Sequence, residues 1–236
     1  MINRKNLRRW HVWLGWLIGV PFLIWTVSGL VMVWKPIEEV RGEHLVAPAA
    51  AIPMTQTVTL PDIPEGAMLD SMRLESRASG PVWVVTLEGE ETRLADPATG
   101  SWIEPYGVDE ATAEFMARYT GDSKIAEVRR TDANHPPMDW RRNSEAWQIV
   151  MANGDHFYVD PASGSIAARR TGWWRIFDFF WGLHIMDLQT REATSNLWIK
   201  SFAILGIIAT LMALVLLPMT SRRKKKKKKL EAEQAA

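Results

Sequence analysis

The 236-residue sequence contains no cysteine. That absence excludes a disulfide framework, a thiolate zinc site, a Cys-ligated iron–sulfur cluster and haem attached covalently through CxxCH. Also missing are a Gly-rich phosphate loop, a GxSxG elbow and an HExxH pair, so no catalytic motif stands out. Flavin and nicotinamide sites are likewise absent, and the acidic residues of the central region are scattered without forming a recognisable carboxylate pair. Net charge is low as well, at +1, but it hides a partition. Residues 1–9 carry Arg4, Lys5, Arg8 and Arg9 against no acid, giving +4, and residues 218–236 carry eight Lys/Arg against Glu231 and Glu233, giving +6. The remainder, 10–217, therefore sums to −9. Positive charge confined to the two tails argues against a general nucleic-acid binder.

What is present is apolar. Trp10–Trp34 runs 25 residues without Asp, Glu, Lys or Arg, and Leu197–Leu217 runs 21 with only Lys200 near its start. A bilayer core of about 30 Å needs ~20 helical residues, so both runs are long enough to span it. Pro21 is tolerable within such a helix. A cleaved signal peptide is the competing reading of the first run. However, its apolar stretch exceeds the usual h-region, and the small residues Ala47-Pro48-Ala49 come too late, so an uncleaved anchor is expected. The basic clusters lie outside the spans on their terminal sides. The positive-inside rule then places both termini in the cytoplasm and residues 35–196 in the periplasm of a bacterial inner membrane. The lysine run beside the second span reads as a stop-transfer signal with anionic-lipid contact. Seven of the 13 tryptophans (Trp10, Trp13, Trp34, Trp173, Trp174, Trp181 and Trp198) fall at the expected interfaces, as an aromatic belt requires.

The middle of the chain repeats itself. Residues 82–103 and 146–167 align at an offset of 64, matching Trp83 with Trp147, Asp96-Pro97-Ala98 with Asp160-Pro161-Ala162, and Gly100-Ser101 with Gly164-Ser165. Each copy reads as a β-rich stretch, a polar turn, a short second strand and a reversal in which Gly takes positive φ. Asp109–Tyr119 has helical spacing and an acidic start, and Lys124–Arg130 reads as a strand. The second copy is thus predicted as helix–strand–strand–strand. The first copy lacks a clear helix, with Met68–Leu74 as its first strand.

These residues resemble the PepSY-associated transmembrane proteins. The resemblance rests on Val159-Asp160-Pro161-Ala162-Ser163-Gly164, on Arg9-Trp10-His11-Val12-Trp13-Leu14-Gly15 followed by Ser28-Gly29-Leu30, and on Trp181-Gly182-Leu183-His184. It implies an α+β fold in which two transmembrane helices flank a periplasmic module of two PepSY-type repeats. The segments are then 1–9 cytoplasmic, 10–34 first span, 35–107 first repeat, 108–170 second repeat, 171–196 interfacial amphipathic helix and linker, 197–217 second span and 218–236 cytoplasmic tail.

The resemblance also implies a role for two histidines. Larger relatives resemble siderophore-iron and flavoprotein-linked membrane reductases in which transmembrane histidines look like b-haem ligands, and His11 and His184 sit at the corresponding positions. His11, Gly15 and Gly19 form one stripe of the first span, which suits close approach of a helix or a flat macrocycle. If Trp173–Leu188 is one helix, Asp187 follows His184 at i+3 as an acceptor for the imidazole N–H, and Arg191 pairs with Asp187 at i+4. A first span of roughly 36 Å keeps the two histidines from sharing one iron. Two helices also do not enclose a porphyrin, so a homodimer or larger membrane complex is expected, with His11 facing His11 and His184 facing His184. Interface anchoring is the plainer reading of both histidines, and helix packing that of the glycines. His44, His135 and His156 read as solvated, with no metal-ligand spacing. The competing function is a membrane-tethered module that binds periplasmic proteins or peptides and regulates a peptidase, or a purely structural subunit. Neither alternative needs a cofactor.

Overall fold

The computed structural model describes residues 4–53 and 57–234, with side chains as far as Met219. The roles expected of the lysine-rich tail therefore lie outside the described side chains. In chain order the elements are α1 (Arg4–Met32), α2 (Ile37–Val40), a 3-10 turn (Glu43–Leu45), β1 (Leu69–Arg77), β2 (Gly80–Leu87), β3 (Arg93–Ala95) and β4 (Trp102–Ile103). Then follow α3 (Val108–Arg118), β5 (Ile125–Arg130), β6 (Trp147–Met151), β7 (His156–Val159), β8 (Ile166–Arg170), α4 (Gly172–His184) and α5 (Leu197–Gln234). The chain divides into two compact units, Met1–Lys35 with Phe177–Ala236, and Pro36–Ile176.

The first unit holds the two long helices. Both α1 and the Leu197–Met219 part of α5 are long and apolar enough to cross a membrane. On α1 the less exposed positions are Leu7, His11, Leu14, Ile18, Pro21, Trp25 and Ser28, and on α5 they include Phe202, Leu205, Ala209, Met212, Leu216 and Met219. Alternating steps of three and four mark the seam of a left-handed helix pair, and Trp25 meets Phe202 with ring centroids 6.3 Å apart. Hydroxyls on these apolar helices bond back into their own turn, Thr26 to Phe22 O and Thr210 to Gly206 O, both at 2.8 Å. That arrangement keeps both hydroxyl protons off the hydrocarbon. Past the apolar part, α5 continues through Pro218 as helix to Gln234.

The second unit holds two four-stranded antiparallel meanders, β1-β2-β3-β4 and β5-β6-β7-β8. Each repeat therefore has one strand more than the sequence suggests, because a further strand follows the Asp-Pro turn, two residues long in β4 and five in β8. The offset of the repeat survives in the pairing. Trp83↔Ala95, Val84↔Leu94 and Val85↔Arg93 in the first sheet become Trp147↔Val159, Gln148↔Tyr158 and Ile149↔Phe157 in the second. The turns match atom for atom. Asp96 Oδ1 accepts from Ala98 N at 2.8 Å and Asp160 Oδ1 from Ala162 N at 3.0 Å, while Thr99 and Ser163 hydroxyls donate to the other carboxylate oxygen. Gly100 and Gly164 close both turns at φ +76° and +62°, a conformation glycine adopts without steric cost.

The helix is what differs. α3 lays Ala111 and Phe115 on Ile149, Met151, Phe157 and Val159 to make the larger core. The first repeat has no helix of its own and closes a smaller core of Val82, Val84 and Leu94 with Tyr106. A shared device holds an incoming extended segment on each sheet. Trp83 Nε1 donates to Thr59 O at 2.8 Å while Thr59 N donates to Pro97 O at 2.7 Å. In the second repeat Trp147 Nε1 donates to Tyr106 O at 2.7 Å while Tyr106 N donates to Pro161 O at 2.8 Å. The repeats are further joined by Arg77, buried at 6% exposure, which donates through Nε and Nη2 to Ser163 O.

Candidate functional site

His184 is the last residue of α4, and its surroundings within the first unit come from α1. The imidazole stacks on Trp25 with centroids 4.6 Å apart and planes inclined by 21°. Nδ1 lies 3.0 Å from Ser28 Oγ and 3.2 Å from Trp25 O. Ser28 is fully buried and spends its own proton on Trp25 O at 2.8 Å. A carbonyl oxygen only accepts, so in the neutral ring the shared contact assigns the proton to Nδ1 and the lone pair to Nε2. Gly29 provides the room, since a Cβ built there would stand 3.2 Å from His184 Cε1. Ser28-Gly29 and Trp181-Gly182-Leu183-His184, 156 residues apart at the hydrogen bond, are thus one site.

The acceptor expected for this imidazole is replaced. Asp187 turns away to hold the following loop, accepting from Thr190 N at 3.1 Å, Glu192 N at 3.2 Å, Ala193 N at 3.1 Å and the Thr190 hydroxyl. Those bonds hold its carboxyl well below the usual range, the Thr190 hydroxyl contributing most. The cause is the end of the helix. Trp173–Leu188 is not one helix, because α4 stops at His184 and Met186 takes φ +55°. Asp187 N then bonds back to Gly182 O at 2.9 Å and Met186 N to Leu183 O at 3.2 Å, the two bonds of a Schellman stop. Spacing of i+3 implies neighbours only while the helix continues.

Arg191 likewise pairs with the buried carboxylate of Asp178 instead of Asp187, and its carbonyl accepts from Trp181 Nε1 at 2.9 Å. Asn196 finishes the loop. Its Oδ1 caps α5 at Ile199 N at 2.9 Å, and its Nδ2 donates to Ile185 O at 2.7 Å.

His11 is placed differently. It is half-buried on the seam of α1, and its Nδ1 is buried with no hydrogen-bond partner among the described residues. Gly15 and Gly19 are exposed, and a Cβ at either would meet nothing within 4 Å. The expected stripe therefore parts: His11 lies on the packed side, while among the described residues no helix approaches the glycines. His11 and Ser28 are 17 residues apart on α1, about 25 Å at the helical rise, so His11 and His184 are separate sites.

His44 and His135 are exposed, as expected, but His156 is half-buried and held in a network. Its Nδ1 lies 2.8 Å from Asp139 Oδ2 and 3.1 Å from Gln148 Nε2, and the Tyr158 hydroxyl donates to Asp139 Oδ1 at 2.6 Å. Burial raises the Asp139 carboxyl, and the bonds from Tyr158 and His156 outweigh it, so its pKa is lowered. Burial, then the neighbouring Asp139, push the Tyr158 hydroxyl far above its ordinary value. Sequence spacing gives no sign of this network, because Asp139 enters from the loop 131–146 that replaces the two-residue turn 78–79 of the first repeat. Among the described residues no group of three or more His, Asp or Glu side chains gathers as a metal site.

An imidazole with Nδ1–H on a carbonyl and Nε2 open is the form that binds metal ions and haem iron. His184 fits that role. For His11 the orienting bond is lacking. No curated protein and no solved structure matches the chain. A family model described as PepSY-associated TM region matches residues 8–233, a stretch that takes in the Trp25–Ser28–His184 site and both repeats. The family expected from the motifs is the one found, and the chain belongs to the PepSY-associated TM region family.

Proposed function

We propose that this membrane protein is an accessory or b-haem-bearing subunit of a transmembrane electron-transfer or iron-reduction system. It would lie in a bacterial inner membrane with both termini cytoplasmic and residues 35–196 periplasmic, as the segregated charge supports. The observation that carries the functional reading is the Nδ1–H of His184 on Trp25 O and Ser28 Oγ. That bond sets the tautomer and orients the ring, as a ligand's second contact does. Trp25 stops the ring from turning, Gly29 gives it space, and the Asp187 and Asn196 bonds hold the loop behind it. His184, and in a second place His11, would hold the group. A bound b haem supplies one-electron transfer between a donor and an acceptor that belong to other chains. The missing enclosure and remaining ligands would come from a second copy or a larger membrane complex. Purified full-length protein in mild detergent, supplemented with haem, should show a b-type Soret band that falls in His184→Ala and is lost when His11→Ala is added. No band in the wild type, or an unchanged band in His184→Ala, would remove the reading.

One observation favours the second reading, a tethered module that binds periplasmic proteins or peptides. Both sheets already hold an extended segment through a tryptophan Nε1 and a proline carbonyl, the main-chain grip that peptide-binding sheets use. A protein without the band that retains a peptide or protein partner in pull-down from periplasmic extract would move the assignment there.

A further inference from the structure

A groove of about 1150 Å³ opens between α1 and α5, near the start of α1. Its wall is apolar, formed by Trp10, Trp13, Leu205 and Met212 among others, and its polar groups are Asn6 and Arg9 at one end. Arg9 is exposed and makes no hydrogen bond or ion pair among the described residues. Trp10 and Trp13 stand beside it, 69% and 65% exposed. Both helices that form the groove are long and apolar enough to cross a membrane, which brings its open side within reach of lipid. A soluble anion would satisfy Arg9 yet leave the tryptophan and leucine wall uncovered. A zwitterionic lipid would cover the wall and offer the guanidinium no net charge.

We infer that the groove seats one anionic phospholipid, its phosphate on Arg9 and Asn6 and its acyl chains along the tryptophan–leucine wall. The planar fork of Arg9 matches phosphate oxygens in pairs, and the indole rings sit where headgroup meets hydrocarbon. The site is independent of any group held at His184. It also differs from general attraction to the lysine run 224–229, which needs no groove.

Native mass spectrometry of the full-length protein, taken from micelles holding equal phosphatidylglycerol and phosphatidylcholine, tests it. The wild type should retain one phosphatidylglycerol, preferred about tenfold, the scale of one charge-assisted contact. Arg9→Gln should lose the preference. Leu205→Trp, which fills the groove and keeps Arg9, should lose the bound lipid. A variant with lysines 224–229 changed to glutamine should keep both, and inorganic phosphate should not displace the lipid. Equal retention of the two lipids by the wild type overturns the assignment. So does a preference that survives Arg9→Gln or Leu205→Trp, that vanishes with the lysines, or that phosphate abolishes. Helical circular dichroism equal to wild type qualifies each variant.

Discussion

Gly29 concentrates the physics of the His184 site at the residue scale. Its hydrogen is replaced in Gly29→Ala by a methyl 3.2 Å from the imidazole, which must then shift by a few tenths of an ångström against the Trp25 ring and its Nδ1 contacts. The expected outcome is a weakened His184-dependent absorption with a drop in stability of about 1–3 kcal/mol, read by thermal melting of the detergent-solubilised protein. Asp139 makes a second, pH-dependent prediction. Its folded pKa lies below the ordinary 3.8, so its contribution is present above about pH 4 and fades as pH falls through the folded value. Asp139→Asn should therefore cost about 1–3 kcal/mol near neutrality, and the gap to wild type should narrow at more acidic pH. Melts followed by near-ultraviolet circular dichroism between those limits check the sign. His184, Ser28 and Gly29 were all readable as motif residues. Their meeting was not, because the hydrogen bond between them closes across 156 residues, and no local period reports that contact.

Elements explain which sequence inferences carried over. Turn chemistry is local, so the Asp-Pro turns appear where the sequence places them, with the same side-chain bonds. Register follows from the alternation of buried residues and is preserved with the offset. β4, by contrast, is defined by its partner: it has only Trp102 and Ile103, too few for a pattern. Failure of the Asp187 assignment is also an element-scale effect, since the helix stop at His184 redirects everything after it. Met186 sits at the left-handed position where glycine is usual. Met186→Gly should raise stability by about 1 kcal/mol without altering any His184 spectrum; a destabilised variant would show that the side chain matters more than the backbone. The tryptophan clamps offer a paired test. Trp147→Phe leaves the partly buried Tyr106 carbonyl without its donor and should cost about 1–2 kcal/mol. Trp83→Phe, whose bond to Thr59 is exposed, should cost clearly less in the same denaturant titration.

At the scale of the whole molecule, two basic ends, two apolar runs and an acidic middle specify a membrane protein with a folded module between its spans. Composition and charge alone carry that much, because partition between lipid and water depends on residue type more than on contact detail. The seam between α1 and α5 is less readable. In apolar helices every face looks similar, so only packing reveals that His11 lies inside the pair while Gly15 and Gly19 lie outside it.

Functional assignment turns on one nitrogen. Histidine-selective 15N NMR of the full-length protein at neutral pH, with His184→Ala to assign the signal, reads its state directly. The expected result is an imidazole protonated at Nδ1 and bare at Nε2, changed in Ser28→Ala. A proton resting on Nε2 in the wild type would contradict the assignment of His184 as an open ligand.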